Sequence, residues 1–189
     1  KNHEALLNIG YCYRDTKKFA KALEIYRQYQ KLFPKKIDGY YSESTLHLRS
    51  QRFKLGWEKY EIALKDDSRN VLDGYHTESK SLWDGKPFDG TLLIYGEQGI
   101  GDQIFFGTIL FDLMKLHSRI ILKVDKRLKN LFQNNFKNVA FYSHNEEVPE
   151  KDYQKYIAIG SLCKFLRKDL KSFESTTFSK FKHNKKPLN

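Results

Sequence analysis

With 40% hydrophobic and 15% aromatic side chains over 189 residues, the chain has enough apolar material to bury a core, which excludes a largely disordered protein. No run approaches the roughly 20 apolar residues needed to span a bilayer, and no apolar signal-type segment opens the chain. The formal net charge of +11 is spread as +6 over residues 1–70 and +5 over 71–189, without a basic-aromatic module, so nucleic acid is not the expected partner.

The first residues, "KNHEALLNIGYCYRD", read as helix from the start, which suggests a piece of something longer. Leu6, Ile9, Gly10, Tyr13, Ala22, Tyr26 and Pro34 then fall at the spacing of a helix pair in which Gly10 and Ala22 permit close approach, Tyr13 and Tyr26 fill the gap and Pro34 ends the second helix. This spacing resembles the tetratricopeptide repeat, except that Tyr29 stands where that repeat has alanine. A shift of 34 residues finds a weaker second copy, with Phe53, Gly56, Tyr60 and Ala63 in the second helix. Two repeats are fewer than the usual stable minimum of about three, so something else must cover their open ends.

After "DDSRN" the helical period stops, and "VLDGYHTESKSLWDGKPFDG" has the glycine, proline and polar content of a linker. Four β-rich runs follow: "TLLIY" (91–95), "RIILKV" (119–124), "NVAFYS" (138–143) and "YIAIG" (156–160). One long helix, "DQIFFGTILFDLMKLH", and a second, "KRLKNLFQNN", separate the first three, and "SLCKFLRKDL" adds a short helix at the end. Alternation of strands and helices predicts a parallel sheet of about four strands. Cys12 and Cys163 lie in unlike segments, which predicts free buried thiols in a reducing, cytoplasmic compartment. The six histidines show no metal-ligand spacing, so neither a metal nor a cofactor is expected.

The turn "GEQGIGD" joins the first strand to the first helix of this region. Gly96, Gly99 and Gly101 have the order G-x-x-G-x-G, and no Lys-Ser or Lys-Thr pair follows, so the turn matches neither the dinucleotide fingerprint nor a P-loop. Its position at the carboxyl end of a strand is nevertheless where open α/β sheets bind ligands. Asp102 suits two roles, a general base or an N-cap of the helix it precedes. Glu97 and Gln98 either orient a ligand hydroxyl or form a solvated turn, and Ser161 either faces the crevice or caps a helix.

"WDGKPFDG" (83–90) followed by "LLIYGEQGIGDQIFF", with "RFKLGWEKYE" before and "DYQKYIAIGSL" after, resembles bacterial tetratricopeptide-repeat proteins carrying a domain of glycosyltransferase family nine, the heptosyltransferase-like family. The resemblance implies the acceptor-side, Rossmann-like half of a GT-B fold, with Asp102 as catalytic base and with Glu97, Gln98, Gly99, Gly101 and Ser161 around the acceptor. It implies a nucleotide-sugar donor bound by a further C-terminal domain, a glycan or protein acceptor, and a peptide or protein partner on the repeats. Phe105 and Thr108 depart from the glutamine and arginine frequent in those proteins, and Cys163 from their proline. The expected organisation is a repeat region at 1–70, a linker at 71–90, a Rossmann-like domain at 91–180 and a basic tail at 181–189. On this reading the chain alone lacks the donor half and is inactive. The alternative is a non-enzymatic interaction module.

Overall fold

The computed structural model describes residues 2–64, 80–97, 99–174 and 181. They belong to two compact units, one comprising residues 1–70 with 167–173 and the other 71–166 with 174–189. Residues 71–79 of the expected linker and all of the expected tail but residue 181 lie outside the described residues.

The first unit contains helices α1 (His3–Asp15), α2 (Phe19–Leu32), α3 (Asp38–Arg49) and α4 (Phe53–Ala63). Asn2 caps α1, its Oδ1 accepting from the N–H groups of Glu4 and Ala5 at 3.0 and 3.3 Å. The two pairs turn identically. Lys17 (φ 59°) and Gln51 (φ 58°) are left-handed residues 34 positions apart. Each is followed by a residue whose N–H returns to the preceding helix, Lys18 to the Tyr13 carbonyl at 2.8 Å and Arg52 to that of His47 at 2.9 Å. This six-to-one closure is a Schellman-type end repeated with the sequence period.

Close approach explains the small residues of the repeat. A Cβ on Gly10 would lie 2.4 Å from Tyr26, and one on Gly56 would lie 2.5 Å from Leu48. Tyr29, in the place of the customary alanine, is fully buried beside Phe33 at a ring separation of 5.2 Å. Its extra volume is met by Gly39 of α3, where a Cβ would come within 2.7 Å of the ring. α3 also carries the buried carboxylate Glu43, which meets Gln30 at 2.7 Å, Lys59 at 2.9 Å, Arg27 at 3.2 Å and His47 at 3.4 Å, joining α2, α3 and α4 through one charge. The cover expected for the repeats comes partly from residues far along the chain. The Trp57 indole N–H donates to the Arg167 carbonyl at 2.8 Å, and Phe173 packs on Phe53 at 5.0 Å.

The second unit is built on β1 (Ser81–Leu82), β2 (Leu92–Tyr95), β3 (Ile120–Val124), β4 (Ala140–Ser143) and β5 (Lys155–Ala158), all parallel in the order β1-β5-β2-β3-β4. A two-helix-pair repeat region therefore precedes a Rossmann-like parallel sheet, the expected fold class. β2 and β3 are buried along their whole length, the condition of central parallel strands. β1 was not expected: it arises inside the stretch read as linker, because a two-residue edge strand has no periodicity to detect. Trp83 beyond it is buried, and its indole donates to the Lys86 carbonyl at 2.7 Å. Gly85, at φ 84°, turns the chain so tightly under Phe165 that a Cβ would come within 2.3 Å of that ring.

The expected single helix over 102–117 is instead α5 (Ile100–Gly107) and α6 (Leu110–Leu116). Gly107 sits so close to Phe132 that a Cβ would be 2.5 Å away, and the Thr108 hydroxyl donates to the Phe105 carbonyl at 2.7 Å, so the helix closes and restarts there. α7 (Lys129–Asn135), α8 (Leu162–Leu166) and α9 (Lys171–Glu174) are the remaining α-helices among the described residues. Cys163 is buried as expected, but Cys12 is exposed. Among the described residues no helix is long and apolar enough to cross a membrane, and no group of three or more His, Cys, Asp or Glu side chains could hold a metal ion.

Candidate functional site

The strand order decides where a ligand can enter the α/β unit. From β2 the chain proceeds outward to β3 and β4, and then returns to lay β5 on the other side of β2. The reversal opens a crevice at the carboxyl ends of β2 and β5, the ligand position of open parallel sheets. The loops that meet there are the glycine-rich turn and the turn around Ser161.

Glu97 spans this crevice. It is 1% exposed, and its Oε1 accepts from the Gly160 N–H at 2.9 Å, while the Ile159 N–H donates to the Tyr95 carbonyl at 2.9 Å. Glu97 is thus a brace between the two loops, and the solvated-turn reading does not hold. Ser161 is buried in the turn before α8, beside that brace. Gln98 lies outside the described residues.

The three glycines have different reasons to be glycine. Gly96 is required internally, because a Cβ would lie 2.7 Å from the Gln103 side chain. Gly101 has nothing within 4 Å of the position of its absent Cβ, and Gly99 meets only an Asp102 oxygen at 3.8 Å. Both are exposed, and neither has a positive φ. No contact within the described protein therefore demands glycine at 99 or 101.

Gly99 itself is the N-cap of α5, and Asp102 is the third residue of the helix, its side chain making no hydrogen bond or ion pair among the described residues. The N-cap reading of Asp102 is therefore corrected. A carboxylate in the first turn is favoured by the helix dipole without closing the end. Asp102 remains a partly exposed carboxylate facing the unfilled space around Gly99.

Five polar residues that the sequence reading passed over stand at the same edge. Gln103 accepts from the Asp125 N–H at 2.9 Å and so ties α5 to the end of β3. Arg127 binds the Asp125 carboxylate through Nε and a terminal nitrogen at 2.9 and 2.8 Å, and these bonds hold Asp125 well below the usual carboxylate range. Lys123 is buried in β3, and burial pulls its ammonium down while Glu147 and Glu146 oppose the shift. His144, after β4, is lowered by burial, with the Asp125 charge and the Gly96 backbone opposing the shift. The available signal was positional, since Asp125 and His144 are the first residues after their β-rich runs.

The repeat unit has a recess of its own between α1 and α3, about 250 Å³ in volume, with Tyr11, Arg14, Tyr41, Ser42 and Arg49 on its walls. Arg14 is held against Asp15 at 2.8 Å and lies over the Tyr11 ring at 4.8 Å.

These features define a class: a helical-repeat protein that carries an open parallel α/β sheet with a crevice at its topological reversal. Comparison with known proteins agrees on the first part. Residues 4–36, which include α2 and all of α1 but its first residue, match the tetratricopeptide repeat. The chain is also 31% identical over 112 residues to Protein FlbA of Caulobacter vibrioides, an alignment covering 55% of this chain and 18% of that protein. The chain thus spans less than a fifth of the length of this curated relative.

Proposed function

We propose that the chain is a protein-interaction module joined to the acceptor-side half of a glycosyltransferase-like, GT-B protein. The tetratricopeptide match and the recess between α1 and α3 support the first part, because stacked helix pairs bind protein segments along such faces. The observation that carries the second is the glycine-rich turn at the β2–β5 reversal, with two glycines that no internal contact requires. An acceptor seated over Gly99 and Gly101 approaches the backbone as closely as glycine allows, with Glu97 and Ser161 holding the two loops together. Gln98 belongs to the same acceptor surface in this reading.

Asp102 is the base. Its carboxylate takes the proton from an acceptor hydroxyl as that oxygen attacks the anomeric carbon of a nucleotide sugar. The bond from that carbon to the departing phosphate oxygen breaks, and the configuration inverts. The donor is bound by a further domain, the acceptor is a glycan or protein hydroxyl, and the reaction is intracellular. No metal or cofactor is part of this reading.

Gly101→Leu separates site from scaffold. The space around Gly101 is open, and leucine is the better helix former by roughly 0.5–1 kcal/mol, so the melting temperature should hold or rise slightly. Binding of the labelled chain to a glycan array and to acceptor peptides should disappear. Retention of that binding by the leucine variant would refute an acceptor site over the turn. Asp102→Asn in the native gene product should lower sugar transfer by roughly 10²–10⁴.

A further inference from the structure

We propose that the repeat unit carries a second docking surface, distinct from the recess between α1 and α3, which takes a short acidic segment with an apolar anchor from a partner protein. The surface is a groove of about 370 Å³ between the start of α4 and the returning segment, lined by Arg52, Phe53, Lys54, Leu55, Lys168 and Leu170, together with Gln51 and Asp169. Its apolar members stand open. Leu55 is 45% and Leu170 50% exposed, and Phe53 on the same lining packs on Phe173 at 5.0 Å. Two large exposed side chains from segments more than a hundred residues apart, brought to one groove, make a patch rather than scattered single leucines.

Charge commits the occupant. Arg52, Lys54 and Lys168 are exposed and form no ion pair among the described residues. Asp169, the one acid on the lining, already accepts from the Ser172 N–H at 2.9 Å. The groove therefore presents three cations together with the apolar side chains of Phe53, Leu55 and Leu170. A second copy of the chain, at net +11, is repelled, and the chain's own end carries lysines at 180, 182, 185 and 186, of the same sign as the groove. Acidic side chains flanking a leucine or phenylalanine satisfy both parts, the ring or branch filling the space between Leu55 and Leu170 and the carboxylates meeting the cations at the rim.

Fluorescence anisotropy with the labelled peptide Asp-Glu-Glu-Leu-Phe-Glu-Asp tests this directly on the whole chain. Saturable binding is expected, weakened at least tenfold by Lys168→Glu and at least tenfold by Leu170→Ser, and unchanged by Lys35→Glu, which makes the same charge change on an exposed turn away from the groove. The substituted side chains are exposed, so all three variants should melt with the parent chain. A peptide with serine in place of leucine and phenylalanine should bind at least tenfold more weakly, which separates apolar anchoring from charge alone. Absence of saturable binding, equal weakening by Lys35→Glu, or groove-dependent binding to phosphatidylserine vesicles without binding to the peptide would overturn the proposal.

Discussion

Removing the charge of Glu43 should loosen the junction between the two helix pairs. The carboxylate is 1% exposed, so its ligands are exchanged against a desolvated charge. Arg27, with a side chain 58% exposed, contributes about 0–1 kcal/mol, as solvated pairs do. Lys59, at 28%, and Gln30 hold it at short range, and charge-assisted bonds of this kind contribute roughly 1.5–3 kcal/mol. Glu43→Gln keeps one acceptor oxygen and should cost about 1–2 kcal/mol. Glu43→Ala leaves Lys59 and Gln30 facing an apolar gap and should cost about 3 kcal/mol, the range for breaking a buried pair. The acid dependence has a definite sign. Burial by itself would raise the Glu43 carboxyl, but Gln30, Lys59 and Arg27 donate to it and hold it below its ordinary 4.5. The unfolded chain therefore binds the proton more readily, and this contribution is present above about pH 4.5 and lost as pH falls through the folded-state value. Trp57 and Trp83 are the only tryptophans, one in each unit, so a Trp83→Phe background lets urea unfolding of the repeat unit be followed by Trp57 fluorescence. A midpoint unchanged in Glu43→Gln, with the same loss of stability between pH 5 and 3 as the parent, would refute the assignment.

Lys17→Gly and Gln51→Gly should each stabilise the repeats by about 0.5–1 kcal/mol, since a left-handed φ strains a residue with a Cβ, and a melting temperature raised by a few degrees would show it. Gly39→Ala should cost about 1–3 kcal/mol in the parent and almost nothing in a Tyr29→Ala background, so a double-mutant cycle by chemical denaturation should give a coupling of about 1 kcal/mol or more. Tyr26→Phe should be neutral or stabilising by up to about 1 kcal/mol, because the buried Tyr26 hydroxyl has no hydrogen-bond partner among the described residues and burial pushes its phenol up to about 12. Asp102→Asn should change thermal stability by less than about 1 kcal/mol, since the cap is Gly99 and only a first-turn charge is lost.

The sequence by itself determined the parts whose causes are local. Small residues at 10 and 56 and aromatics at 26 and 60 announced helix pairs, because 3.6-residue periodicity and close helix approach act within some 30 residues. The β-rich runs announced β2 to β5 for a similar reason, and the glycine-rich turn was legible as a break between two periods. What no local pattern encodes was decided by tertiary structure. The placement of β5 beside β2 rather than beyond β4 depends on pairing between segments 60 residues apart, and it alone makes the crevice and buries Glu97 against Gly160. The same holds for β1, recruited by two hydrogen-bonded residues, and for the return of Arg167 and Phe173 to α4. Of the two roles open to Asp102, the cap falls away because the helix starts two residues earlier than the apolar pattern suggests, at Ile100 behind a glycine cap. Periodicity specifies which face a residue presents, whereas the neighbour across that face is chosen only when distant segments compete to bury the same surface.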